Sequence, residues 1–362
     1  MNLNIIAPIN TLGYGYTGYH ITKTLVQKNK VSLFPIGDKV DNTLMDPFIV
    51  EALTSAKLFD VNAPCVRIWH QHDMSHFVGK GPHIGFPIFE LDTFSEIEKH
   101  HLNSCDALFV TSSWAQNVCI NNGITVPVYI VPLGVDRSVF KETESTNQNG
   151  PTVFLNCGKW EVRKGHDILI KAFEKAFPQD EQVILLMCNS NPFLNVTQES
   201  QWKKLYKNPK VRFISRLQSS QDVAKLMQSA DCGVFPSRGE GWNLEALEML
   251  SCGKQLITTL YSAHKEFCCN NNSLLVDIDD VEPAQDGIWF HGQGNWAKIG
   301  DKQINQLAEY MRMVHEFKSQ GRLMVNKDGI ETAKRFSWSN TAEKIIGGIH
   351  GFTNIGQQAR IS

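Results

Sequence analysis

The 362-residue sequence has no apolar run approaching the roughly 20 residues that a membrane-spanning helix requires, so no span is read in it. It also lacks any Cys-x-x-Cys spacing. Its nine cysteines, Cys65, Cys105, Cys119, Cys157, Cys188, Cys232, Cys252 and the adjacent Cys268 and Cys269, therefore fit no zinc or disulfide framework. Such an odd, scattered set is expected as reduced thiols, several of them small core residues in strands. Net charge is slight: 35 basic side chains face 37 acidic ones, a formal −2 at pH 7, which offers no basic excess to attract nucleic acid. Tandem repeats and low-complexity tracts are absent. Met1–Ile9 has neither the basic region nor the long apolar core of a signal peptide, and a cytoplasmic location is expected.

What is present is the composition of a soluble globular protein, 42% hydrophobic and 20% charged, in a chain longer than one core usually organises. Two domains are expected. Short β-branched or apolar runs alternate with helical stretches at 3–9, 31–36, 65–70, 84–91, 107–112 and 126–131, the rhythm of a parallel sheet covered by helices. Lys141–Pro151 (KETESTNQNGP) is polar and aperiodic and reads as a linker. The rhythm restarts at 152–156, 183–187, 211–214, 232–235, 256–259 and 274–276. After the first of these strands Asp167 is expected to cap a helix, and near the end Asn340 with Glu343 reads as a capping box for a last helix. The basic run Lys203, Lys204, Lys207 and Lys210 reads as a solvated helix face or as a peripheral contact with an anionic membrane surface.

The most informative stretch is Pro236–Gly253 (PSRGEGWNLEALEMLSCG), whose layout is strand, glycine turn, helix. Backbone N–H groups around Gly241, Trp242, Asn243 and Leu244, at the positive end of the helix, would seat a phosphate. Glu240 and Glu248 on either side would repel a phosphate but accept hydrogen bonds from hydroxyls, and a nucleotide sugar has hydroxyls at both ends of its diphosphate. The loop Gly158–Asp167 (GKWEVRKGHD) supplies Lys159, Arg163 and Lys164 to clamp that diphosphate. Taken singly, these charges read as solvated loop and helix residues. Together, in two successive α/β elements, they read as a donor site.

Four blocks carry a resemblance: VPLGVDRSVF (131–140), CGKWEVRKGHDILIKAF (157–173), the segment 211–259 with its GEGWNLEALE core, and RFSWSNTAEKI (335–345). In this order they resemble the family-4 group of retaining glycosyltransferases with the GT-B fold. The resemblance implies two Rossmann-like α/β domains facing across a cleft. An acceptor domain at 1–145 would be joined by a returning helix at about 338–362, with a donor domain at 151–337. It assigns Glu240 to the donor sugar's hydroxyls, Glu248 to the ribose, and Lys159 and Lys164 to the diphosphate, with no metal or cofactor required. Lys159 stands where an arginine is usual, which keeps the charge but loses the bidentate fork, and Arg163 is the candidate to compensate. Asn243 replaces a glycine of the turn, and asparagine tolerates positive φ better than most residues.

In the first half, Gly13–Gly18 (GYGYTG) is a literal GxGxxG with Asp38 twenty residues beyond Gly18, the fingerprint of a nicotinamide-dependent oxidoreductase or sugar-modifying enzyme. The resembling family has a glycine loop here that approaches donor phosphate and acceptor, so Gly13 and Gly15 have a place in both readings. His70, His72, His76 and His83 form a cluster that reads as the lining of a polar cleft, with metal binding as the alternative. Where relatives place a histidine near the reacting carbon, this chain has Glu90, which would orient an acceptor hydroxyl, stabilise the transition state or cap a turn. Expected catalytic residues are Glu240, Lys164 and Glu90, with His72 and Glu90 on the acceptor side. The reaction expected is transfer of a hexosyl or related sugar from a nucleoside diphosphate to a sugar, lipid-linked, protein or metabolite hydroxyl with retention. A non-catalytic sugar-nucleotide-binding module is the third reading. Donor base, acceptor and oligomeric state are not legible.

Overall fold

The computed structural model describes residues 1–37, 39–143, 148–179 and 181–358. Asp38 of the dinucleotide fingerprint, residues 144–147 of the expected linker and residues 359–362 of the expected returning segment lie outside them. The chain divides into two compact units, Met1–Gly134 with Phe336–Ser362, and Val135–Arg335. The division precedes the polar segment expected as a linker. Residues just after it belong to the second unit, as Ser251 Oγ donates to Phe140 O (2.6 Å) and Thr143 N–H to Cys252 O (3.1 Å).

The first unit comprises β1 (Asn2–Ala7), α1 (Gly13–Val26), β2 (Lys30–Pro35), α2 (Pro47–Ser55), β3 (Cys65–Trp69), β4 (His83–Pro87), α3 (Glu96–Asn103), β5 (Ala107–Val110), α4 (Ser113–Asn121) and β6 (Val128–Ile130). All strands pair in parallel in the order β2-β1-β3-β4-β5-β6. The nearly continuous burial of β1, β4 and β5 is what a sheet covered on both faces requires. Helices α2 and α3 start on side-chain caps: the Asp46 carboxylate accepts from Phe48 and Ile49 N–H ahead of Pro47, and Ser95 with Glu98 forms a complete capping box.

The second unit comprises β7 (Thr152–Gly158), α5 (His166–Ala176), β8 (Val183–Asn189), α6 (Val196–Leu205), β9 (Val211–Phe213), α7 (Ser220–Ser229), β10 (Cys232–Phe235), α8 (Leu244–Ser251), β11 (Gln255–Thr259), α9 (His264–Phe267), β12 (Leu274–Val276), β13 (Val281–Gln285), β14 (His291–Ala297), α10 (Asp301–Ser319) and α11 (Lys327–Arg335). Its parallel sheet runs β12-β11-β10-β7-β8-β9, so the chain builds outward from β7 on one side and then from β10 on the other. The loops leaving β7 and β10 are thus neighbours at the point where strand order reverses, the place where open α/β sheets bind ligands. Phe154, Phe173, Phe177, Leu185 and Met311 are among the buried side chains of the core beneath. An antiparallel hairpin, β13–β14, follows the sheet; neither strand was read from the sequence.

The last helix, α12 (Trp338–Gln358), belongs to the first unit. Trp338 stacks on His20 (4.8 Å, 6°), Thr341 Oγ1 donates to Pro132 O, and a Cβ on Gly134 would lie 2.2 Å from Trp338 N. The helix is longer than the stretch marked by Asn340 and Glu343, and the cap is one turn earlier, Ser337 Oγ accepting from Asn340 N–H. Similarly α5 starts on Gly165 in a left-handed conformation, and Asp167, expected as its cap, lies in the first turn. Among the described residues no helix is long and apolar enough to cross a membrane. All nine cysteines are free thiols, and seven of them are buried.

Candidate functional site

The loop after β7 brings its charges against the loop after β10. Gly165, at φ +74°, makes the approach: a Cβ there would sit 2.0 Å from Pro236 O. A left-handed backbone and close contact with a carbonyl are both requirements that only glycine meets without strain. Arg163 O accepts from Arg238 N–H (2.7 Å), and Arg238 in turn grips the Asp167 carboxylate with two parallel bonds of 2.8 Å. Asp167 therefore anchors the second loop rather than capping α5.

Held this way, five side chains form a chain of alternating charge. Lys159 Nζ lies 2.8 Å from Glu161 Oε1; Arg163 Nη2 donates to Glu161 Oε2 (2.7 Å) and Nη1 to Glu240 Oε2 (2.8 Å); Lys164 Nζ lies 2.9 Å from Glu240 Oε1. Glu161, Arg163 and Glu240 are buried, and burial of such charges is tolerable only because each is paired and hydrogen-bonded. Glu240 is further fixed by Ser237 Oγ, which donates to Oε1, and by its own N–H bond to Ser262 Oγ. Burial disfavours its charge, but Lys164 and Arg163 outweigh that and hold the carboxyl far below the ordinary range. Lys164, opposed by burial, is held in its charged form chiefly by Glu240.

Arg163, expected on a diphosphate, is instead committed to Glu161, Glu240 and the carbonyl of Gly239 (2.7 Å). It organises Glu240 and does not substitute for the missing arginine at Lys159. Lys159 is the most exposed of the basic groups, its side chain 36% accessible against 11% for Lys164.

The turn Gly241–Leu244 leads into α8. Asn243 is left-handed (φ +78°, ψ +79°), as its position in a glycine turn demanded. Its side chain is fully used: Oδ1 accepts from Ala246 N–H (3.2 Å) and Nδ2 bonds to His264 Nε2 (2.9 Å). His264 Nδ1 lies 3.0 Å from Thr259 O and so carries the proton, leaving Nε2 to accept from Asn243; burial pushes this histidine down to about 4 and keeps it neutral. Trp242 is buried against Phe267 (5.0 Å) and supports the turn from below. The first-turn amides of Leu244 and Glu245 have no acceptor within the helix, as at any helix start, and they lie at the positive end of its dipole.

Glu248, one turn beyond Glu245 on the same face of α8, is buried; burial first, then the Glu245 charge, raise its carboxyl well above the ordinary range. Its environment thus favours the protonated form, which can donate as well as accept. Gly158 lies beside these groups: a Cβ on it would sit 3.3 Å from Glu245 Oε1.

The remaining expected residues are in the first unit. Gly13, Gly15 and Gly18 do not form a loop: they lie within α1, which opens at Gly13. A Cβ on Gly15 would strike Asn10 Oδ1 at 2.2 Å and one on Gly18 would strike Pro8 O at 2.4 Å, so these two glycines serve close packing of α1 on the β1–α1 connection. The tight glycine turn directly after β1 that a dinucleotide fingerprint needs is not there. β3 ends at Trp69, one residue before the expected bound, and His70 and His72 come together through a short turn, their rings stacked at 5.2 Å, with Tyr14 against His70 at 4.5 Å. His76 is exposed beside Asp73, and His83 is buried on Phe77 at the start of β4. Among the described residues no three His, Cys, Asp or Glu side chains are placed to hold a metal ion. Glu90 is partly buried in the segment after β4, and the cap of the next helix is Ser95.

Sequence reasoning missed Glu161, Ser237, Arg238, Ser262 and His264. Glu161 sits inside the very loop that was read, but a lone glutamate between two basic residues carries no signal of its partner until β7 and β10 are adjacent.

Residues 151–289 match the family model of Glycosyl transferases group 1. A protein of Sulfolobus islandicus filamentous virus that bears a glycosyltransferase name is 21% identical over 201 residues, 54% of this chain and 53% of the viral one. This chain thus spans about half the length of that relative. Among solved structures, sucrose-phosphate synthase from Thermosynechococcus elongatus superposes with a TM-score of 0.68 at 16% identity, covering 98% of this chain and 99% of the other. Anabaena HepE in complex with UDP and glucose gives 0.70 at 15%, covering 97% and 99%. A glycosyltransferase from Rickettsia africae gives 0.68 at 12%, covering 97% and 98%. The fold is the GT-B fold of two Rossmann-like α/β domains.

Proposed function

We propose that this chain is a retaining glycosyltransferase that takes its sugar from a nucleoside diphosphate held where the loops after β7 and β10 meet. The observation that carries the reading is the Lys164–Glu240 pair, fixed by Arg163 beside the start of α8, within the segment that matches the family model. The diphosphate draws on Lys164, Lys159 and the first-turn amides of α8. As phosphate oxygens engage the Lys164 ammonium, Glu240 Oε1 becomes available to accept a hydrogen bond from a donor-sugar hydroxyl, while Arg163 keeps the carboxylate charged and aimed. Glu248, whose burial disfavours the charged form, bonds ribose hydroxyls and so repels the neighbouring phosphates less than an exposed carboxylate would. When the anomeric C–O bond breaks, negative charge grows on the departing diphosphate, and Lys164 neutralises it in a largely water-excluded setting.

The acceptor oxygen bonds the anomeric carbon as the bond to the diphosphate breaks, its proton passing to the departing phosphate oxygen, and His72 and Glu90 of the first unit are the residues we assign to orient the hydroxyl. No metal ion enters this scheme. HepE has been solved with UDP and with UDP-glucose, which makes a uridine diphosphate sugar the first donor to test. Thermal stabilisation by uridine, guanosine and adenosine diphosphates should exceed that by NAD or NADP; selective stabilisation by a nicotinamide dinucleotide would reverse the assignment. Turnover is then read as donor hydrolysis or transfer, whose absence with every donor that binds would leave a binding module.

A further inference from the structure

The β13–β14 hairpin is fastened to the loop that carries Glu240. Ala297 N–H donates to Arg238 O (2.8 Å), and the buried Trp296 ring lies under the Arg238 guanidinium (5.7 Å). Its far end is equally determined. The Asp286 carboxylate accepts from the N–H groups of Ile288, Trp289 and Phe290 (2.8, 2.7 and 2.9 Å), and Gly287 takes φ +72°. Three amide bonds to one carboxylate hold the tip in a single conformation, yet that conformation leaves Trp289 46% exposed. Among the described residues Trp289 meets one partner ring, Phe193 from the loop after β8, at 5.8 Å and 78°, and Phe193 is 57% exposed. Rigid display of two large aromatic faces to water needs a reason beyond folding.

The cation beside them supplies one. Lys159 Nζ lies 5.7 Å from the Phe193 ring centre, and its other neighbour is Glu161 of the charged chain. Flat apolar faces next to an ammonium in a phosphate-holding loop suit a molecule that is planar and aromatic at one end and anionic at the other. A neutral glycan ring would stack on the same faces but would make no use of the cation.

We propose that Phe193 and Trp289 form the stacking platform for the base of the nucleoside diphosphate, a proposal that rests on the donor reading above. Since every base has a π-face, the platform adds affinity without choosing among bases.

Isothermal titration of the full chain with UDP, ADP and inorganic pyrophosphate tests this. Both side chains are about half-exposed, so Phe193→Ala and Trp289→Ala should keep the wild-type circular dichroism and melting temperature. Each should weaken UDP and ADP about tenfold, the scale of one lost base stack, and leave pyrophosphate unchanged, while Trp289→Phe stays near wild type. Unchanged nucleotide affinity in both alanine variants overturns the platform, as does an equal loss for pyrophosphate. A wild-type chain that binds neither nucleotide overturns the donor reading itself, and the platform with it.

Discussion

The ammonium of Lys164 lies 2.9 Å from Glu240 Oε1 and shares that carboxylate with Arg163. Each of the two residues thus keeps the other charged in a setting where burial alone would neutralise both. Lys164→Ala and Glu240→Ala are expected to lower transfer by about 100-fold or more, the scale of losing a group that stabilises developing charge. Glu240→Ala leaves Lys164 without its close partner and should also lower stability by about 3 kcal/mol, whereas Lys164→Ala leaves Glu240 still paired with Arg163 and should cost less. Steady-state rates beside urea melts separate the two effects, and near-normal turnover in both variants would remove them from the chemistry.

Arg163 is a positioning residue and gives a different signature. Arg163→Lys keeps the charge but cannot bridge Glu161, Gly239 O and Glu240 at once. The expected result is a fall in kcat with little change in UDP affinity. A loss confined to UDP affinity would instead place the guanidinium on the diphosphate.

The two loops depend on backbone conformations that few residues tolerate. Gly165→Ala combines positive φ with a 2.0 Å approach to Pro236 O and should cost several kcal/mol, about 3 or more, together with donor binding. At Asn243 the order of substitutions is diagnostic. Glycine keeps the left-handed turn and loses the cap and the His264 bond, whereas alanine loses all three, so Asn243→Ala should melt below Asn243→Gly.

Acid should destabilise the protein early. Burial pushes His83, His166 and His264 each down to about 4, while the unfolded chain protonates histidine near about 6.5. Their contribution to stability is therefore intact above about pH 6.5 and declines toward pH 4, at up to about 1.4 kcal/mol per pH unit for each. Urea midpoints measured in steps of about 0.5 unit between about pH 7.5 and about pH 4.5 should follow this slope. His83 has no hydrogen-bond partner on either ring nitrogen among the described residues and stacks on Phe77, so His83→Phe should flatten the slope by one share. Glu248 works in the opposite sense. Its raised carboxyl retains a proton that the unfolded chain gives up above the ordinary glutamate range, so stability falls as pH rises, and Glu248→Gln should stabilise more at about pH 8 than at about pH 5.

Much of the second unit was legible beforehand. Cys232–Phe235 and Leu274–Val276 were read at their observed bounds because short β-branched runs between turn residues are a local signal. The hairpin was not, since VEPAQ contains proline and HGQGNWA two glycines, both depleted in strands, and its pairing is held by Asp286 and Arg238 rather than by strand propensity. The glycines of α1 misled in another way. GYGYTG matches a phosphate loop by spacing, but what decided its conformation was the packing of Gly15 on Asn10 and Gly18 on Pro8, which no spacing encodes.

By itself, then, the sequence determined the α/β rhythm, the glycine turn before α8 and the presence of Lys164, Glu240 and Glu248 around it, all consequences of local periodicity and turn chemistry. Tertiary structure alone decided what those charges do. Arg163 and Glu240 stand 77 residues apart and meet only because β7 and β10 become neighbours in the sheet. Once they meet inside a buried loop system, desolvation makes pairing obligatory, so that Arg163 and Lys164 both hold Glu240 and Asn243 holds His264.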